Sequence, residues 1–288
     1  MTDVRPRRSV LYLPASNARA LRKATTLPCD SLILDLEDAV APDAKPAARE
    51  AACAAARSDA YGARELTIRV NGTGTEWHAD DLAAVCAAGP DAIVVPKVDS
   101  ALAVQALVGA MVANGAPEHT QLWAMLETPG AMLHAEEIAA ASERLTVLVM
   151  GTNDLAKELH AEHVGGRQPL LTGLGLALLA ARATGKAILD GVYNDVQDLD
   201  GFLAECRQGR ELGFDGKTLI HPGQVDGANE AFAPDERAVE DARGILAAWQ
   251  AGRDRGVVTY RGRMIEHLHV DSARRTLALH EAVTGRSS

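Results

Sequence analysis

Aromatic residues make up only 3% of the 288 positions, too few to provide the stacking platforms on which proteins seat unpaired bases. Basic residues are outnumbered as well: 29 Lys and Arg against 39 Asp and Glu give a formal charge of -10, whereas nucleic-acid binding needs a basic face. No nucleic-acid partner is expected. Cysteine is scarce, and Cys29, Cys53, Cys86 and Cys206 form no C-x-x-C pair. Neither a zinc site nor a disulfide framework is indicated, and the four thiols read as reduced packing residues. Long apolar runs are missing too. The run inside RPRRSVLYLPAS breaks at Pro14 and is too short for a signal-peptide core or a membrane span. No membrane partner is expected, and the chain is read as cytoplasmic. The first strand-like run is not followed by a G-x-G-x-x-G turn, which weighs against a doubly wound dinucleotide-binding sheet.

What is present is a substantial core. Hydrophobic residues account for 47% and charged residues for 24%, ordinary values for a globular chain. Short apolar or β-branched runs recur, each followed by an Ala/Leu-rich helical stretch. VLYLPAS, SLILDLED, LTIRVNG, AIVVPKV, LWAMLETPGA, LTVLVMGTND, AILDGVY and GKTLIHP are the eight strand candidates. Several are apolar on consecutive positions, as strands of a parallel sheet buried on both faces are. Eight such units are the count of an α/β (β/α)8 (TIM) barrel. After HPGQVDGANEAF the rhythm changes. One helix with Pro234 near its start, then a strand or turn and a second helix, form a C-terminal helical appendage. The expected division is a catalytic barrel over 1–225 and a helical or lid extension over 226–288.

In such a barrel the C-terminal ends of the strands carry the active site. The second strand run ends in Asp35, Glu37 and Asp38, the third in Arg69 and Asn71, the fourth in Lys97, the fifth in Glu127 and the sixth in Asn153 and Asp154. Any one of these taken alone reads as a cap or a surface charge. Glu127 is the hardest to read so, because it follows the apolar LWAML and a buried carboxylate needs a cation or strong donors. Asp154, from the adjacent strand, would face it. Two carboxylates, with the remaining positions left to water and substrate oxygens, are what Mg²⁺ commonly receives from a protein, and no histidine or cysteine accompanies them to suggest zinc or copper. Asp154 therefore reads as a metal ligand rather than a helix cap. His160 and His163, at i, i+3 spacing, could share a helix face but lack a third partner.

Taken together, RSVLYLPASN, DSLILDLEDAVAPDAKPAARE, IRVNG, VVPKV, LETPGAM, GTNDLAKEL and GFDGKTLIHPGQV resemble the citrate lyase β-subunit-like branch of the HpcH/HpaI aldolase superfamily, which includes malyl-CoA and citramalyl-CoA lyases. The resemblance spans about residues 8 to 225. It implies a Mg²⁺-dependent TIM barrel that makes or breaks a carbon–carbon bond between a 2-oxo acid and an acyl-CoA thioester. Glu127 and Asp154 match the metal ligands, and Arg69 the substrate-polarising arginine. Glu37 and Asp38 resemble residues that support the metal's water shell. Gly151, Thr152 and Asn153 of the GTND turn are expected to line the substrate. Lyases of this group take a proton donor from a C-terminal G-K-M-[IV]-D-like segment of a neighbouring subunit. Here the run is YRGRMIEH, with Glu266 in place of the aspartate and Arg263 in place of the lysine. Glu266 is thus the expected acid, on a tip running from Gly256 to Leu268, in a homotrimer or dimer of trimers.

The reaction implied first is cleavage or condensation of a malyl-CoA- or citramalyl-CoA-like ester. A related one is malyl-CoA-type thioester hydrolysis, with the same metal and arginine holding the substrate. A third possibility is a citrate lyase β-like subunit that needs an acyl-carrier partner. For CoA itself the sequence offers only Arg19, Lys23 and Lys45 near the first two strands, each read as solvated helix charge rather than a phosphate contact.

Overall fold

The computed structural model describes residues 5–252 and 257–285. Residues Arg7–Ala231 form one compact unit, and residues from Phe232 onward form the body of a second. The first is a closed barrel of eight parallel strands in sequential order. They are β1 (Ser9–Pro14), β2 (Ser31–Asp35), β3 (Glu65–Arg69), β4 (Ala92–Val95), β5 (Gln121–Leu126), β6 (Leu145–Met150), β7 (Ala187–Asp190) and β8 (Gly216–Leu219). Five lie within the runs read from the sequence, and β1, β3 and β5 begin one residue ahead of theirs, at Ser9, Glu65 and Gln121. β1 pairs with both β2 and β8, so the sheet has no free edge.

Side chains alternate across a strand, and the inward set is apolar: Val10, Ile33, Val94, Trp123, Met125, Val147, Val149 and Leu189 form the barrel core. Two residues further along, the same face carries Tyr12 on β1 and Asp35 on β2, and reaches Glu127 and Gly151 just beyond β5 and β6. The period that fills the core with hydrocarbon therefore delivers polar groups to its C-terminal mouth. At the opposite end Arg7 clamps Glu65 through two bonds of 2.6 and 2.7 Å, and Arg8 clamps Asp30 at 2.9 Å. The four cysteines are buried free thiols, as expected. Among the described residues no helix is long and apolar enough to cross a membrane.

Two sequence expectations are revised here and a third is sharpened. The helix carrying Asp154 ends at Glu158, and His160 has a left-handed φ of 53°, so His160 and His163 never share a helix face; both are exposed. The helix Val225–Phe232 stays with the barrel rather than opening the appendage, because Asn229 bonds to Ser9 and to the carbonyl of Pro28. The expected strand or turn of the second unit is a hairpin, β9 (Val258–Tyr260) and β10 (Arg263–Ile265). Its two turn residues, Arg261 and Gly262, both have positive φ, the signature of a tight twisted hairpin turn. Asp241 and Glu240 hold the Arg261 side chain. The hairpin packs Val258 and Ile265 against Val270 of the last helix, His267–Thr284. The Gly256 end of the expected tip lies outside the described residues.

Candidate active site

Arg69 closes β3 directly beside Asp35, its register partner at the end of β2. Its Nε and Nη2 donate to the two Asp35 oxygens at 2.7 and 2.8 Å, a bidentate geometry only arginine offers. Asp35 is 1% exposed and also accepts the amides of Glu37 and Ala39 at 2.9 and 3.1 Å. The remaining edge of the guanidinium, Nη1, lies 2.8 Å from Glu37 and 3.8 Å from Asp38, and the Tyr12 ring lies beneath it at 5.0 Å. Burial works against the Arg69 charge, and Asp35 more than offsets it, so the proton is held more firmly than usual. Burial also drives the Tyr12 hydroxyl upward despite Arg69.

Glu127 follows β5 and is 2% exposed. One oxygen accepts the Lys97 amide at 2.8 Å. The other faces the backbone of Gly151, where a Cβ would come within 2.2 Å of Oε2; only glycine leaves room for this carboxylate. Burial pushes Glu127 up to about 7, the Lys97 amide opposes the shift, and the Asp154 charge adds to it. Asp154 sits in the first turn of Thr152–Glu158, a helix whose N-cap is Gly151. Its carboxylate lies 3.6 Å from Lys97 Nζ. Lys97 itself has φ 53°, a left-handed conformation that costs a non-glycine residue about 1–3 kcal/mol and is retained mainly at functional sites.

The shifted acid has a consequence for stability. Because Glu127 in the folded protein binds its proton up to about pH 7, against an ordinary 4.5, the native state holds more protons than the unfolded chain between those values. Its contribution to stability therefore grows as pH falls through 7. Glu127→Gln removes the buried charge, so in metal-free protein it should raise the unfolding midpoint at pH 8 by about 2–5 °C and change it little at pH 5. Thermal scans with chelator at both pH values check this.

The other expected site residues fall into supporting positions. Thr152 is buried and packs on Gly191, where a Cβ would meet its Oγ1 at 2.3 Å. Asn153 exchanges two hydrogen bonds with Asn194, at 3.0 and 2.8 Å. The Gly191 carbonyl accepts from Lys217, a fully buried lysine that also bonds Asp190 and Glu205. Glu37 is pushed up to about 7 by burial, partly offset by Arg69. Glu266 belongs to the second unit. It is the N-cap of His267–Thr284, where its backbone carbonyl accepts the His269 amide at 3.0 Å and its own amide donates to the His269 ring at 3.0 Å.

Lys45 departs from its expected role. It is 5% exposed and spends all three donors on the carbonyls of Leu36 and Glu37 and on Asn71, at 2.8, 2.9 and 2.6 Å, under the Trp77 ring. Asn71 in turn donates to Asp81, which Arg49 pairs at 2.7 Å. This network braces the turn carrying Glu37. Arg19 and Lys23 are exposed, as read. The sequence reading places Asp35 and Lys97 at the rim without assigning them a role, and it does not single out Tyr12. For Tyr12 a signal existed: it stands two residues after the inward Val10.

At this rim carboxylates outnumber cations, Asp35, Glu37, Asp38, Glu127 and Asp154 meeting only Arg69 and Lys97. Among the described residues no group of three or more His, Cys, Asp or Glu side chains could hold a metal alone. Two carboxylates, one in a cradle that a Cβ would fill, suit an oxygen-seeking ion that keeps water and substrate as its other ligands.

Comparison with known proteins agrees with this architecture. The model of the HpcH/HpaI aldolase/citrate lyase family matches residues 8–222. A (3S)-malyl-CoA thioesterase of Cereibacter sphaeroides is 51% identical over 96% of this chain and 96% of its own. Citrate lyase subunit beta of Escherichia coli is 36% identical over 95% and 93%. Among solved structures, CitE of Mycobacterium tuberculosis in complex with magnesium, acetoacetate and coenzyme A superposes with a TM-score of 0.77 at 31% identity, covering 94% of this chain and 97% of that one. The family match covers most of the barrel and the identities extend over nearly the whole length: the chain belongs to the HpcH/HpaI aldolase/citrate lyase family.

Proposed function

We propose that the protein hydrolyses the thioester of a malyl-CoA-like substrate, with carbon–carbon cleavage of the same substrate class as the second reading. The relative at 51% identity is named a malyl-CoA thioesterase. The observation that carries hydrolysis over cleavage is that likeness, which extends over 96% of both chains. Breaking the carbon–carbon bond leaves a thioester enolate that needs a proton on carbon, and Glu266 is the acid the family resemblance offers. Glu266 stands in place of the aspartate that lyases of the group carry there, which lengthens the reach of the acid. Hydrolysis needs no carbon acid: water adds to the thioester carbonyl, the carbon–sulfur bond breaks, and CoA leaves as the thiol.

The residues fit that task. Glu127 and Asp154 would hold Mg²⁺, the ion named with the CitE structure, which when bound supplies Lewis-acid polarisation and an anchor for a chelating hydroxy acid. Arg69 commits Nε and Nη2 to Asp35 and shares Nη1 between Glu37, 2.8 Å away, and the oxyanion that develops on the carbonyl. Glu37, pushed up to about 7 by burial, is poised to take a proton from the attacking water near neutrality. Lys45 holds the turn on which Glu37 rides. A homotrimer or dimer of trimers belongs to the same proposal.

The lyase reading draws support from the identity to citrate lyase subunit beta. Incubating the purified protein with malyl-CoA and Mg²⁺, without partner proteins, separates the readings. Free CoA with malate is the expected result. Acetyl-CoA with glyoxylate would mean carbon–carbon cleavage, and no turnover of the free CoA ester would point to a subunit acting on a carrier-bound substrate.

A further inference from the structure

Lys97 touches both carboxylates assigned above to the metal, and by different means. Its left-handed backbone aims the amide at Glu127 Oε1, 2.8 Å away, and its ammonium lies 3.6 Å from Asp154 Oδ1. The segment has little freedom to do otherwise. Pro96 precedes it, and the next amide, from Val98, is tied to the carbonyl of Met125 on β5 at 3.2 Å. The amide contact survives any substitution that tolerates this backbone. The charge contact does not. The side chain is half exposed, so the ammonium can leave Asp154 for solvent by rotating its flexible stem.

We propose that Lys97 is a built-in counter-ion that competes with the divalent cation for Asp154, lowering the metal affinity of the resting site and keeping the two carboxylates in place when no ion is bound. This rests on the reading of Glu127 and Asp154 as ligands. A monovalent ammonium and a divalent ion cannot share one carboxylate without mutual repulsion in a pocket screened on one side by the barrel wall. Entry of the ion therefore displaces Nζ, and the displaced ammonium becomes a free cation at the mouth of a site that takes an anionic acid.

The sign of the effect separates this role from a structural one. If Lys97 merely supported the turn, removing its side chain would loosen Glu127 and weaken metal binding. If it competes, removal strengthens binding. Mn²⁺ affinity of the full chain, measured without substrate by electron paramagnetic resonance of the free ion at low ionic strength, should be about five- to tenfold tighter in Lys97→Met than in wild type. Lys97→Gln should behave in the same way, and Lys97→Arg, which keeps the charge, should stay near wild type. The gain should shrink as salt is added. Equal or weaker Mn²⁺ binding in the Met and Gln variants, with wild type binding the ion, would overturn this inference alone. Failure of wild type to bind Mn²⁺ would remove the two-ligand reading and this inference with it.

Discussion

Asp154→Ala is expected to lower kcat/KM on the order of 10³-fold and to abolish stimulation by Mg²⁺, while the metal-free protein unfolds within about 1 kcal/mol of wild type. The two halves of this expectation come from different features of the residue. Its carboxylate is one of only two assigned to the ion, so deleting it leaves a single ligand and no chelating geometry. Its contribution to the fold is small: the side chain is partly exposed, and its recorded ion pair is with a lysine that is half exposed, at 3.6 Å. What the helix loses is a favourable charge in its first turn, worth a few tenths to about 1 kcal/mol. Glu127→Ala should match the activity loss. Rates measured across a Mg²⁺ titration, set beside thermal scans in chelator, test both halves. A variant that keeps its Mg²⁺ dependence would remove Asp154 from the metal site.

The barrel was legible because its strands are buried on both faces, so runs such as LILD and AIVV stand out from amphipathic helices without any alignment. The rim was legible for a related reason: charge directly after an apolar run is conspicuous, and the period of two predicts which charges face inward. The misreadings share a different cause. Lys45 opens a helix in a stretch that looks solvated, and nothing local announces that the carbonyls of Leu36 and Glu37 will converge on its ammonium; those acceptors are placed by the chain leaving β2. His160 and His163 matched a helical spacing, yet the helix stops at Glu158, a boundary that a left-handed histidine sets and composition does not reveal. Lys97 could be placed at the rim, but its positive φ, which lets one residue reach two carboxylates, exists only once the neighbouring strands are in register. Glu266 shows the opposite case. Its motif position was plain, and what the motif alone does not reveal is that the residue starts a helix, with its amide held by the His269 ring.

Arg69→Lys should reduce turnover by about 10²-fold or more while leaving Mn²⁺ affinity within a few-fold of wild type. On the proposed reading arginine performs two jobs with one planar group: Nε and Nη2 neutralise the buried Asp35, and Nη1, which also pairs with Glu37 at 2.8 Å, serves the substrate. A lysine has a single nitrogen. It can satisfy Asp35 or reach toward the carbonyl, and desolvation of Asp35, at 1% exposure, decides that it satisfies Asp35. Arg69→Met removes both functions and leaves Asp35 charged and unpaired in the barrel mouth, a change that costs about 3–5 kcal/mol. The double variant Arg69→Met with Asp35→Asn removes the orphan charge, so it should recover much of that stability and none of the activity. This split distinguishes an arginine that stabilises the transition state from one that only ties β2 to β3. If Arg69→Lys turns over substrate at the wild-type rate, the donor to the oxyanion lies elsewhere and Arg69 is a strut for Asp35. If the double variant regains activity along with stability, the arginine's charge was never needed for the reaction.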